Sequence, residues 1–131
     1  MRIDEIFHSI QGEGSRRGRP CVFVRLTGCP LRCRWCDTSY AFHGGEDRTV
    51  DEILQRAGTF GPRMVCVTGG EPLAQPEVHH LMERFIEDGW EVLLETSGAL
   101  DARDVDARVV RILDLKAPGS GESSRNHWPT F

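Results

Sequence analysis

Three cysteines stand within eight residues, in Cys29-Pro30-Leu31-Arg32-Cys33-Arg34-Trp35-Cys36. Their intervals of four and three put three thiols on one loop, where they can wrap a single small inorganic centre. A structural zinc takes four protein ligands. The fourth would have to be Cys21, Cys66 or a histidine such as His43. Cys21 and Cys66 lie in apolar runs, and lone buried cysteines behave as small hydrophobes. A four-iron cluster also normally takes four cysteines. Three would leave one metal position open, the mark of a reactive centre. Five cysteines is an odd number, so a disulfide framework is a poor reading. Metal binding or catalysis is the better one.

Further groups suited to chemistry follow apolar runs. They are Gly69-Gly70-Glu71-Pro72, Glu95-Thr96-Ser97-Gly98 and Asp114-Leu115-Lys116. Glycine lets a ligand approach the backbone closely. Lys116 is the single lysine among fifteen arginines. The histidines offer no metal-ligand spacing with one another.

The elements that must position these groups are legible as patterns. Residues 3–10 and 21–26 read as strands with a polar loop or hairpin between them. Residues 49–57 predict a helix, with Val50, Ile53, Leu54 and Ala57 on one face, a Thr49–Glu52 capping box and Gly58 as its end. Residues 64–68 form a short buried strand. Residues 76–88 predict the clearest helix, with Pro76 in its first turn and Gly89 as its cap. Strands at 92–96 and 109–115 follow, separated by a short helical piece near 101–107. Such alternation implies an α/β fold with a parallel sheet and crossover helices. Functional groups gather at the carboxyl ends of parallel strands. The three polar clusters all fall there, so they converge on one rim.

The chain has 131 residues, the size of one domain, and is too short for a closed eight-stranded barrel. At 39% hydrophobic and 27% charged it has globular composition, which argues against wholesale disorder. Net charge is −4, which does not favour nucleic-acid binding. No apolar run reaches a membrane span, and the first residues lack a signal-peptide pattern, so a cytoplasmic protein is expected.

The cysteine pattern, with Trp35 as the aromatic before Cys36, resembles the signature of the radical S-adenosylmethionine enzymes. Gly69-Gly70-Glu71-Pro72 resembles their glycine-rich element. Ser9-Ile10-Gln11-Gly12-Glu13-Gly14, Phe23-Val24-Arg25-Leu26, Cys36-Asp37-Thr38, Leu94 to Gly98 and Asp114 to Gly121 appear in order. Together they resemble the 7-carboxy-7-deazaguanine synthases over essentially the whole chain. That resemblance implies a single radical S-adenosylmethionine core domain over residues 1–131, built as a partial (incomplete) β/α barrel. It implies conversion of 6-carboxy-5,6,7,8-tetrahydropterin to 7-carboxy-7-deazaguanine, a step of queuosine biosynthesis and a lyase reaction. The cofactors would be a 4Fe–4S cluster, S-adenosylmethionine and Mg²⁺, with flavodoxin or ferredoxin as electron donor and a homodimeric assembly.

The implied roles can be carried over residue by residue. Cys29, Cys33 and Cys36 would hold the cluster and Thr38 the magnesium. Trp35, Cys36, Asp37, Gly70, Glu71, Asp114 and Lys116 would meet S-adenosylmethionine. Ile10, Gln11, Gly12, Glu13, Arg25 and Thr68 would meet the substrate, with Arg25 on its carboxylate. No catalytic side chain beyond the cluster and S-adenosylmethionine is implied. Family members continue for several strands and helices past the position of Phe131, which would carry further contacts. The rival readings are an activase that installs a glycyl radical in a partner and a non-enzymatic metal or electron-carrying module.

Overall fold

The computed structural model describes residues 1–29, 31–34, 36 and 38–130, apart from the side chains of Ser39 and Phe42. Its strands are β1 (Arg2–Ile10), β2 (Pro20–Leu26), β3 (Glu46–Asp47), β4 (Met64–Gly69), β5 (Glu91–Thr96) and β6 (Val110–Leu113). The helices are α1 (Val50–Gly58) and α2 (Val78–Glu87). The strands form one sheet in the order β3-β1-β2-β4-β5-β6. Neighbours among β2, β4, β5 and β6 are parallel, while β1 runs antiparallel to β2 and to β3. The parallel expectation therefore holds for four strands. A parallel crossover needs a dozen or more residues, usually a helix. The nine residues between β1 and β2 hold only a 3-10 turn at Gly14–Arg16, so the chain doubles back as a hairpin. The result is a mostly parallel α/β sheet, as in a partial β/α barrel.

Strand alternation separates two faces. Val22, Val24, Leu26, Val65, Val67, Val92 and Leu94 point to one of them. They pack there with Ile53 and Ala57 of α1 and Val78, Leu81, Met82 and Phe85 of α2. The other face carries Cys21, Phe23, Met64, Cys66 and Leu93, joined by Phe7, Val110 and Ile112. Cys21 and Cys66 are fully buried core residues, as the sequence implied. Burial pushes the Cys21 thiol up to about 12 and the Cys66 thiol higher still, so neither is a ready thiolate.

The helices form where the pattern puts them, with small changes. The Thr49 hydroxyl accepts from the Glu52 N–H at 3.1 Å, one half of the capping box. α2 starts at Val78, with Pro76 in the turn before it, and Gly89 caps its end at φ +85°. The helical piece near 101–107 does not form. The Asp101 and Asp106 carboxylates instead accept from the N–H groups of Arg103 and Arg108, each at 2.9 Å. Such side-chain capture offers the backbone an alternative to a helix. Among the described residues no helix is long and apolar enough to cross a membrane.

Candidate functional site

Two residues past each core position, the inner face turns polar. Arg25 follows Phe23 on β2, Thr68 follows Cys66 on β4, and Glu95 follows Leu93 on β5. Asp114 follows Ile112 just beyond β6. These four line a cavity of about 390 Å³ at the carboxyl ends of the parallel strands. Cys29, Cys33, Cys36, Thr38, Gly70 and Lys116 line it too, and Glu13 enters from the β1–β2 loop.

The glycine pair is dictated by the cysteine loop. A Cβ on Gly69 would lie 2.5 Å from the Leu26 carbonyl oxygen. One on Gly70 would overlap the Gly28 carbonyl oxygen and sit 3.0 Å from Cys29 Cβ. The Glu71 N–H donates to that same Gly28 oxygen at 2.7 Å. The strand end is thus pressed directly against the root of the loop. Glu71 itself is fully buried and does not line the cavity. Its carboxylate accepts from Leu73 N–H (3.0 Å), Thr96 hydroxyl (2.8 Å), and Ser97 N–H (2.7 Å) and hydroxyl (2.5 Å). A side chain so fully engaged joins β4 to β5. The Glu71 carboxylate is thus engaged within the protein, while Gly70 lines the cavity.

Within the cysteine loop, the Leu31 N–H donates to Cys29 Sγ at 3.4 Å. The Arg32 guanidinium donates to the Cys29 and Leu31 carbonyls. Cys36 Sγ lies 3.8 Å from Thr38 Oγ1. Burial pushes the Cys29 thiol up. All five cysteines are free, and no three His, Cys, Asp or Glu side chains among the described residues gather tightly enough to hold a single metal ion. Cys21 and Cys66 are sealed in the core and His43 is off the cavity wall, so none of these three stands beside the thiols as a fourth zinc ligand. Three thiols around one roomy cavity fit a cluster with several metal atoms better than one ion. Trp35 and Asp37 lie outside the described residues.

At the rim, Lys116 pairs with Asp114. Burial alone would lower the ammonium's pKa, yet Asp114, together with the Cys33 thiol, holds it above the ordinary lysine value. Residues 117–130 then cross this rim as a strap. The Arg34 N–H donates to Ser120 O at 3.1 Å and the His127 N–H to Gly98 O at 2.6 Å. The Asn126 amide bridges the backbone of Lys116.

Opposite the thiols, the Thr68 hydroxyl donates to Glu95 at 3.0 Å. Burial pushes the Glu95 carboxyl above its ordinary value and the Glu13 carboxylate adds to the rise, while Thr68 and Arg25 oppose it. Glu95 belongs to one of the strand-end clusters that the sequence brings to the rim, but the sequence gives it no individual role. Its alternation with Leu93 is the signal that assigns it to the cavity face. Arg25 donates through Nε to Glu5 at 2.8 Å and through Nη1 to the Gly69 carbonyl at 3.3 Å.

The Ile10-Gln11-Gly12 expectation fares differently. Because β1 is antiparallel, Ile10 pairs with Pro20 at the far end of the sheet, where it is 62% exposed. Gly12 does not line the cavity. Gln11 is buried, and its side-chain oxygen accepts from the Glu13 N–H at 3.1 Å. It shapes the turn that delivers Glu13. The loop is held beneath the inner face by Arg16 and Arg19 on Glu91 and by Gly14 against Ile112.

The model of the radical SAM superfamily matches residues 23–115. The 7-carboxy-7-deazaguanine synthase of Koribacter versatilis (strain Ellin345) is 49% identical over 124 residues, covering 93% of this chain and 55% of the relative. That of Chlorobaculum tepidum is 49% identical over 126 residues, covering 96% of this chain and 57% of the relative. Among solved structures, QueE from Escherichia coli superposes with a TM-score of 0.78 at 28% identity, over 91% of this chain and 63% of that one. The chain spans about half the length of the curated relatives it matches.

Proposed function

We propose, from the premise that this chain belongs to the radical SAM superfamily, that it serves the conversion of 6-carboxy-5,6,7,8-tetrahydropterin to 7-carboxy-7-deazaguanine. Membership implies a 4Fe–4S cluster and S-adenosylmethionine. The observation that carries the substrate reading is one cavity with a cation on one wall, Arg25, and carboxylates on another, Glu13 and Glu95, with the three cysteines opening into it. An anionic carboxylate and a row of N–H donors on one small molecule complement that pattern. The named relatives, which act as 7-carboxy-7-deazaguanine synthases, support the same substrate.

Cys29, Cys33 and Cys36 would hold the cluster, which with S-adenosylmethionine would supply the radical chemistry of hydrogen-atom abstraction. The protein's own residues bind, orient and exclude water. Arg25 takes the carboxylate through its terminal nitrogens, and Glu13 and Glu95 accept from pterin N–H groups. Thr68, already on Glu95, fixes which oxygen faces the ring. Gly70, Asp114 and Lys116 line the cavity and would meet S-adenosylmethionine, a role the family resemblance also gives to Trp35, Cys36 and Asp37. Thr38 is the hydroxyl beside the thiols that would take Mg²⁺, a hard cation that keeps most of its waters. Flavodoxin or ferredoxin as reductant, a homodimer, a cytoplasmic setting and one core domain over residues 1–131 belong to the same proposal.

The test is anaerobic reconstitution followed by incubation with S-adenosylmethionine, a reductant and the pterin. Four irons and four sulfides per chain, with 7-carboxy-7-deazaguanine and ammonia appearing together, are expected. One metal ion per chain and no sulfide would overturn the reading in favour of a simple metal module.

A further inference from the structure

Arg25 does not stand free. It sits opposite Glu5 in the β1–β2 register, so the two side chains share the inner face. Glu5 Oε1 accepts from Arg25 Nε at 2.8 Å and from the Tyr40 hydroxyl at 3.1 Å. The guanidinium carbon lies 5.9 Å from the centroid of the Phe7 ring and 5.7 Å from that of Tyr40. Phe7 is itself stacked on Phe23, with centroids 5.1 Å apart and planes at 9°. One edge of the guanidinium is therefore tied to a carboxylate, its Nη1 reaches the Gly69 carbonyl, and aromatic rings flank it. A guanidinium has five N–H donors in a rigid fork. Fixing Nε and one Nη1 proton leaves the remaining Nη donors to meet a ligand.

We propose that Glu5 is a positioning residue for Arg25, one that both aims the fork into the cavity and reduces its pull on an anion. The Arg25 side chain is only 13% exposed, and an arginine that far from water needs a counter-charge. Glu5 supplies it, so a carboxylate arriving at the Nη edge meets a partly neutralised cation. The ligand is oriented strongly but held lightly, which suits a site that must release an anionic product. Tyr40 donates to the same carboxylate oxygen and restricts its rotation. This inference rests on the reading that Arg25 takes the substrate carboxylate.

Two substitutions separate aim from charge. Glu5→Gln keeps an oxygen for Arg25 Nε and Tyr40 but removes the charge; at 39% exposure its new NH₂ can face water. Glu5→Ala removes both. The readout is calorimetric binding of the 6-carboxypterin against its decarboxylated analogue, in the reconstituted protein, expressed as the ratio of affinities. Glu5→Gln should raise the carboxylate preference by roughly two- to fivefold, the scale of a half-exposed charge interaction. Glu5→Ala should lower it by about tenfold, the scale of a charge-assisted hydrogen bond that no longer aims the fork. Tyr40→Phe should change it by less than about twofold, since the ring remains. Shifts in one direction for both Glu5 variants, or none, would overturn the positioning role. Arg25→Ala is the separate check on the premise: if it keeps the full preference, the carboxylate is read elsewhere, whatever Glu5 does.

Discussion

Replacing Gly70 with alanine adds one methyl group, and the geometry says it should damage the protein well before any ligand is involved. A Cβ there would come closer to the Gly28 carbonyl oxygen than real Cβ atoms ever come to a backbone atom, and would meet Cys29 Cβ at 3.0 Å. Backbone cannot rotate away as a side-chain tip can, so the cysteine loop must move off the end of β4. Overpacking of this kind costs typically 1–3 kcal/mol. The movement also breaks the Glu71 N–H to Gly28 O bond, worth about 0.5–1.5 kcal/mol net. A loss of about 2–4 kcal/mol follows. At roughly 4 °C per kcal/mol for a domain of this size, the melting temperature falls by about 10 °C. Cluster content after reconstitution should fall with it, because Cys29 is the residue displaced. Gly58→Ala is the matched control, since nothing lies within 4 Å of a Cβ at that helix end. It should be neutral or stabilising by up to about 1 kcal/mol. The assays are thermal denaturation and iron and sulfide counts per chain. A Gly70→Ala protein with parental melting temperature and full iron would refute the reasoning.

Cys21→Ala and Cys66→Ala should retain the broad visible absorbance of the reconstituted protein, at a cost of about 1–2 kcal/mol in core packing. Cys29→Ala, Cys33→Ala and Cys36→Ala should each lose that absorbance, and survival in any of the three would contradict the ligand set. Glu95 carries a sign that can be measured. Its folded-state pKa is raised above the ordinary 4.5 by burial, so the native state holds the proton longer than the unfolded chain does. Stability must then decline as pH rises from about 4.5 through the raised folded value. Glu95→Gln should flatten that decline in urea titrations across the acid range, and an unchanged slope would count against a buried carboxyl.

The site is most legible in the sequence where one local pattern decides a position. Thiol spacing, a capping threonine at Thr49 and the strand ends at Gly70 and Asp114 all depend on near neighbours in the chain. It is less legible where a distant partner decides. The family resemblance groups Ile10 with Gln11 and Glu13, and strand direction places it at the opposite end of the sheet from the cavity. Glu71 carries the same carboxyl as Glu95, and only the β5 end, with its Thr96 and Ser97 donors, turns one inward as a joint and leaves the other on the cavity. The stretch 101–107 has helix-compatible residues, but two aspartates take backbone N–H groups that a helix would need. Glu5 gave no motif signal at all; its role depends on a cross-strand register with Arg25.

The strap over the rim also has a bearing on time. Ser120, whose carbonyl receives the Arg34 N–H, lies 86 residues beyond the loop it fastens. At a synthesis rate of about 5–20 residues per second, roughly 4–17 s separate the appearance of the thiols from that of their fastening. During this interval Cys29, Cys33 and Cys36 sit on a chain whose rim is still open. The order of synthesis gives an assembly factor a window to deliver iron and sulfide before the strap closes, and gives an oxidant the same window.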